Sequence, residues 1–157
     1  MFFPDKDPKH VAQMKKLIGM GFYDGTRFHR CIAGFMVQGG DPNSKEMAKS
    51  GSWGMGGYKV DGKEVNIPHE FTDIKHKRGV MSAARSSDPD SASSQFFIMT
   101  NDTSSLDGQY SAWGQVLEGM SAVDQIVGTG DAANNGAVAP DKAIVLKKAT
   151  LQKWPLK

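Results

Sequence analysis

The sequence predicts a mainly β domain, an antiparallel barrel or sandwich that carries two helices. Three observations predict it. Short segments with two-residue alternation recur between turns rich in Gly, Asn, Asp and Ser. Only two stretches keep a helical period. Strands and helices do not alternate regularly, which argues against a parallel sheet.

The elements follow in order. Asp7-Pro8 opens a helix, with Asp as N-cap and Pro at the first helical position. Val11, Met14, Leu17 and Ile18 recur at helical spacing until Gly19 and Gly21 stop it. Asp24-Gly25 is a turn. Thr26 to Ile32 and Phe35 to Gln38 read as strands around Ala33-Gly34. Asp41 to Lys63 reads as a long surface loop. Gly79 to Ala84, Gln95 to Thr100 and Ser111 to Leu117 read as strands, and Arg85 to Ser93 as a polar turn region. Ser121 to Val127 suits a short helix capped by Ser121 and stopped by Gly128. Ala143 to Leu151 gives a last strand. No internal repeat is visible.

Length and composition fit one domain spanning residues 1–157: apolar residues are 39% of the chain, and 18 glycines are added to them. A single cysteine, Cys31, excludes an intrachain disulfide and a cysteine-based zinc site, and its apolar neighbours favour a structural thiol. The net charge of +2 is too small to indicate nucleic acid or an anionic membrane. No apolar run approaches the ~18 residues of a membrane span. Met1 to Asp5 lacks the shape of a signal peptide. The expectation is a cytoplasmic monomer, although a signal peptide upstream of Met1 would change the compartment.

Several motifs lead nowhere. His10, His29, His69 and His76 are not at ligand spacing, so they are expected to be solvated or hydrogen-bonded, with no metal. Gly54-Met55-Gly56-Gly57 lacks the Lys and Ser/Thr of a phosphate loop. Gly51-Ser52-Trp53-Gly54 is not a nucleophile elbow.

Two stretches carry chemistry: Phe28-His29-Arg30-Cys31-Ile32-Ala33-Gly34-Phe35-Met36-Val37-Gln38-Gly39-Gly40-Asp41, and Ser94-Gln95-Phe96-Phe97-Ile98. In the second, alternation puts Phe96 and Ile98 on one face and Gln95, Phe97 and Met99 on the other. Met36 and Gln38 likewise share a face. Each stretch therefore sets an amide beside a soft apolar group, as a half-exposed groove for a proline peptide would need.

Both stretches resemble the motifs of the cyclophilin family. Phe3-Pro4-Asp5, Phe22-Tyr23-Asp24-Gly25, Leu106-Asp107-Gly108 and Gly114-Gln115-Val116 to Gly119-Met120 fall in family order around them, so the resemblance covers nearly the whole chain. It implies a cyclophilin-like antiparallel β-barrel and a peptidyl-prolyl cis/trans isomerase that needs no cofactor. The implied partners are proline-containing peptides and unfolded proteins, in the service of folding. It also implies site residues: Arg30, Gln38 and Phe97 as the catalytic set, and Phe35, Met36, Ala84, Arg85, Gln95, Leu106 and Tyr110 for binding. The alternative is a proline-peptide binding module with little catalysis. A barrel serving only as an assembly surface is the third reading.

The chain departs from the family pattern at four places. Ser105 stands where many members have tryptophan, which predicts weak cyclosporin binding. Tyr110 replaces histidine and Arg85 replaces asparagine, as in bacterial members. The two N-terminal strands that help close the family's barrel are missing. The expectation is that the true start lies upstream of Met1, rather than that the chain is a fragment or that another chain fills the gap. Open edges predict lower stability and solubility than in a complete homologue.

Overall fold

The computed structural model describes residues 1–153. Helix α1 spans Pro8–Gly19, with Asp7 at its N-cap and Pro8 at its first position. It buries Val11, Met14 and Leu17 on one side. Gly21 then reverses the chain at φ 68°, a conformation that suits glycine. The Asp7 side chain makes no capping bond. Glu70 caps the helix instead, accepting the backbone N–H of Lys9 at 2.9 Å and of His10 at 3.0 Å.

The strands are β1 (Arg30–Ile32), β2 (Met36–Gly39), β3 (Lys59–Val60), β4 (Lys63–Glu64), β5 (Val80–Ala83), β6 (Phe96–Met99), β7 (Ala112–Gln115), β8 (Gly130–Asp131) and β9 (Ala137–Val138). Helix α2 spans Met120–Val127. Seven strands form one antiparallel sheet in the order β7-β5-β6-β2-β1-β9-β8, and β3 with β4 forms a separate hairpin. The antiparallel sheet with two main helices is as expected. It is open rather than closed: β7 and β8 are its edges. The N-terminus runs along the β7 edge, where Phe2 bridges Gly114 and Phe3 N–H donates to the Trp113 carbonyl at 2.9 Å.

The two faces of the sheet separate as alternation requires. Cys31, Val37, Phe96, Ile98 and Trp113 pack with α1 in the main core. Met36, Phe97, Met99 and Ala112 form a second cluster on the other face. Burial of each large side chain contributes about 1.5–3 kcal/mol.

Some expectations need correction. The first strand is Arg30–Ile32, because Thr26 and Arg27 spend their polar groups on local and loop partners. Residues 41–63 are not plain loop: they hold 3-10 turns at Pro42–Lys45 and Met47–Ser52 and then β3. Gly119, with φ 91°, is the N-cap of α2, not Ser121. Ala143 to Leu151 is not a strand. It makes one bridge, Arg27 to Val145, and a few backbone bonds to residues 25–28. The two-residue strands β8 and β9 escaped the sequence because such short pairs carry no periodicity.

Candidate active site

Four adjacent strands place four residues in one row. Arg30 on β1 faces Gln38 on β2, Gln38 faces Phe97 on β6, and Phe97 faces Ser82 on β5. In-register antiparallel pairing puts such residues on one face of a sheet. A cavity of about 540 Å³ opens over this row. Of the ten expected site residues, Arg30, Phe35, Met36, Gln38, Ala84, Arg85, Phe97, Leu106 and Tyr110 line it. Gln95 does not. It lines an adjoining cavity of about 390 Å³, whose wall also includes Gln38, Ala84 and Arg85.

Arg30 is held on two sides. Its Nε donates to the Asn135 carbonyl at 3.1 Å and its Nη2 to Asn135 Oδ1 at 3.0 Å. Nη1 reaches Gln38 Oε1 at 3.4 Å. These bonds engage three of its donors; a guanidinium has five. Two N–H groups remain for a ligand. The half-buried guanidinium sits at the cavity wall, not in the apolar core, as the cost of burying a lone cation requires.

Gln38 is fixed in turn. Its Nε2 donates to Gln95 Oε1 at 2.9 Å, and Gln95 Nε2 donates to the carbonyls of Gly54 at 3.0 Å and Gly56 at 2.8 Å. The loop carrying those carbonyls is tied to the fully buried Asp41. Its Oδ2 accepts the N–H of Gly54 and of Gly56, and its Oδ1 accepts Asn43 N–H at 2.8 Å. A continuous relay of hydrogen bonds therefore runs from Asp41 to Asn135 through both glutamines and Arg30. Both glutamines are half-buried, in keeping with a half-exposed groove, and one bond between them together with bonds to Arg30 and the loop carbonyls satisfies their amides.

The apolar part is drier than a half-exposed groove. Phe97 is 5% exposed and Met36 2%, so each presents only a small surface to the cavity. Tyr110 meets Phe97 edge-on, with centroids 5.6 Å apart at 84°. The Arg85 guanidinium lies 4.4 Å from the Tyr110 ring centre, and its Nη2 donates to the Gln109 carbonyl at 2.7 Å. The Arg85 side chain thus braces Tyr110, where only its backbone was expected to act. Behind Phe97, the buried His76 ring stacks at 6.2 Å and 22°. Its Nε2 lies 3.0 Å from Ser82 Oγ, and its backbone N–H donates to Asp107 Oδ1 at 2.7 Å.

Two electrostatic features shape the region. Burial holds the pKa of His29 below its ordinary value, against the pull of the nearby Asp41 carboxylate. Burial likewise lowers His76, partly offset by Asp107. Both rings are neutral at pH 7. Of the four histidines expected to be solvated or hydrogen-bonded, His69 is exposed and bonded to Asp90, and the buried His10 and His76 bond Glu70 and Ser82; the buried His29 ring is neither solvated nor hydrogen-bonded to any described residue. Cys31 is buried, and burial raises its thiol pKa, as a structural thiol requires.

The sequence reading missed Asn135, Asp41, Trp53 and Asn134. Asn134-Asn135-Gly136 is a visible turn signal, and Asn135 adopts φ 52° there. Nothing in the sequence shows that this turn lands on Arg30, 105 residues away. Asp41 closes the first motif but was given no role.

Among the described residues, the cavity lining contains no carboxylate, thiol or serine hydroxyl, so it offers no acyl-transfer machinery. A fixed cation, an amide and an apolar slot on one face of an antiparallel sheet define a site fit to bind an extended peptide. Comparisons with known proteins place it further. Residues 1–151 match the family model of the cyclophilin type peptidyl-prolyl cis-trans isomerases. A probable peptidyl-prolyl cis-trans isomerase of Brucella abortus is 47% identical over 153 residues, covering 95% of this chain and 74% of that protein. An Arabidopsis thaliana peptidyl-prolyl cis-trans isomerase is 40% identical over 124 residues, covering 78% of this chain and 71% of its own. The crystal structure of a Cryptosporidium parvum cyclophilin, determined in the presence of the dipeptide Ala-Pro, superposes with a TM-score of 0.74 at 28% identity. It covers 92% of this chain and 86% of that one. The chain belongs to the cyclophilin family, and its activity is peptidyl-prolyl cis/trans isomerisation.

Proposed function

We propose that the row from Arg30 to Phe97 performs this reaction, on exposed X-Pro bonds of peptides and unfolded proteins, and that the chain thereby assists folding. The barrier to rotation is ~18–20 kcal/mol because the nitrogen lone pair is delocalised into the carbonyl. Uncatalysed exchange takes ~10–100 s. Reaching milliseconds requires about four powers of ten, or roughly 5–6 kcal/mol.

The observation that carries the reading is the tethering of Arg30. As the bond twists, the proline nitrogen becomes pyramidal and regains its lone pair. A free guanidinium N–H donates to that lone pair and favours the twisted state. Asn135 and Gln38 hold the group in place beforehand, so little reorganisation is needed at the moment of reaction. One charge-assisted bond supplies about 1.5–3 kcal/mol. The remainder comes from the slot. Phe35, Met36, Phe97, Leu106 and Tyr110 take the proline ring and displace water. The Ala84–Arg85 backbone grips the preceding residue while the other end turns, and Gln95, whose own amide is committed to loop carbonyls, acts from the adjoining cavity by holding Gln38. Ala84 N–H is already given to the Gln95 carbonyl at 3.0 Å, so its carbonyl and the Arg85 N–H are the groups offered. The Cryptosporidium relative solved with Ala-Pro supports a proline dipeptide as the minimal ligand.

The test is NMR exchange spectroscopy on an Ala-Pro peptide with the parent and Arg30→Ala. The expected loss in kcat/KM is about 10- to 150-fold. A variant that folds and stays within a few-fold of the parent overturns the role of Arg30. Binding without exchange enhancement by the parent would select the binding-module reading.

A further inference from the structure

Outside the catalytic row, Asp7, His10 and Glu70 bring three ligand atoms within 4.8 Å of one another. None of the three lines the cavity described above. Glu70 has taken the two amide donors that an N-cap aspartate would use. Asp7 is therefore left fully buried, with neither carboxylate oxygen hydrogen-bonded to any described residue. Asp7 Oδ1 instead points toward His10 Nδ1, 3.7 Å away, while that nitrogen bonds Glu70 Oε2 at 2.6 Å. A buried carboxylate without a partner is costly. Protonation removes the charge but still leaves a buried carboxyl with no hydrogen-bond partner among the described residues.

We propose that Asp7, His10 and Glu70 form a divalent-cation site, with zinc as the fitting ion. Two carboxylates and a neutral imidazole supply two negative charges and a mixed oxygen–nitrogen donor set, which suits zinc or a neighbouring transition metal. The ion takes the place of the Nδ1 proton, which moves to Nε2 so that the imidazole stays neutral, and lies between Nδ1, Glu70 Oε2 and Asp7 Oδ1. Donors around tetrahedral zinc stand about 3.4 Å apart, since each bond is about 2.0–2.2 Å. The observed 2.6 and 3.7 Å separations bracket that value, so small side-chain movements suffice. Glu70 is positioned for this by its own backbone N–H, which donates to Ser111 Oγ at 2.8 Å. Its side chain is 10% exposed and provides the entry side, leaving a fourth position for water. Burial, with the Glu70 charge beside it, raises the Asp7 carboxyl to about 7, in keeping with a negative charge that lacks its counterpart. Sequence spacing concealed the site because Glu70 lies 60 residues from His10.

The experiment is calorimetric titration of the chelator-treated full chain with zinc chloride at pH 7.5, paired with thermal melts. The parent is expected to bind one ion and to gain about 5–10 °C at a hundredfold excess over the dissociation constant. Proton release is expected on binding, and weaker binding at pH 6. Asp7→Ala removes one ligand and the buried charge together. It is expected to melt above the parent without metal and to lose the zinc response, with isomerase activity unchanged. No zinc-dependent shift in the parent overturns the proposal, because a plain buried acid would show none. An equal shift in Asp7→Ala also overturns it, because the ion would then sit elsewhere.

Discussion

Gln38 Nε2 donates to Gln95 Oε1 at 2.9 Å, so one amide pair forms the shared wall of the two cavities. Gln95 is anchored behind by two loop carbonyls, and Gln38, held through its Nε2, turns its oxygen toward Arg30 Nη1, 3.4 Å away. Replacing Gln95 by Leu removes the anchor, and Gln38 can then turn its amide over. The guanidinium would meet an N–H where it now meets an oxygen. The expected result is a fall in kcat/KM of about 5- to 10-fold, corresponding to a hydrogen bond worth about 1 kcal/mol. Exchange spectroscopy on an Ala-Pro peptide measures it, with melting curves to show that the fold persists.

Asn135 is a positioning residue, and its substitution should separate binding from turnover. Asn135→Ala deletes the bond to Nη2 and keeps the carbonyl that accepts from Nε. The apolar slot is untouched, so KM should change less than twofold while kcat drops about 3- to 10-fold. Arg30→Lys should fare worse than Asn135→Ala. An ammonium cannot bond Asn135 twice in a fork and also reach the substrate. Equal kcat for Asn135→Ala and the parent would show that the tether is not needed.

How much of this arrangement the sequence disclosed depended on range. The alternation in Gln95-Phe96-Phe97-Ile98 was enough to sort Phe96 and Ile98 into the main core and Phe97 onto the other face, because a strand's period is local. Helix α1 was legible for the same reason, from Asp7-Pro8 to Gly19. Ala143 to Leu151 looked like a strand by composition, yet strands need a partner along their length, and this one has only a single bridge. Asn135 and the Asp7–His10–Glu70 group are contacts between distant segments, which no local pattern encodes. The resemblance named Arg30 and Gln38, but the relay behind them, ending at Asp41, appeared only once the backbone was folded.

Ser105 bears on ligand range. It lies in the 3-10 turn Ser104–Leu106, exposed to solvent, next to Leu106 at the cavity wall. A serine here adds almost no apolar surface to the rim, where the family pattern offers an indole. Cyclosporin is therefore expected to bind weakly, with isomerase activity on a short peptide retained. Ser105→Trp should tighten cyclosporin by at least tenfold, since an indole buries on the order of 100 Å² or more at about 25 cal/mol per Å². Titration calorimetry decides it, and submicromolar binding by the parent would contradict the expectation.

His76 makes stability depend on pH in a stated direction. Burial lowers its folded-state pKa below the unfolded value of 6.5, and Asp107 offsets this only in part. Between the depressed folded value and 6.5 the unfolded chain binds the proton and the folded chain does not. Stability is therefore fully present above about 6.5 and is lost as pH falls below it, by at most about 1.4 kcal/mol per pH unit for this residue. His76→Gln keeps the backbone N–H that caps Asp107 and a polar atom near Ser82 Oγ, but carries no titratable ring. Urea unfolding at pH 7.5 and pH 5.5 should show a smaller loss for His76→Gln than for the parent. His10 and His29, also lowered by burial, remain in both chains and cancel in the comparison. Parallel loss in the two chains would mean that His76 takes up its proton in the folded state as readily as in the unfolded one. The Phe97 ring stacked on it would then face a cation at mildly acid pH.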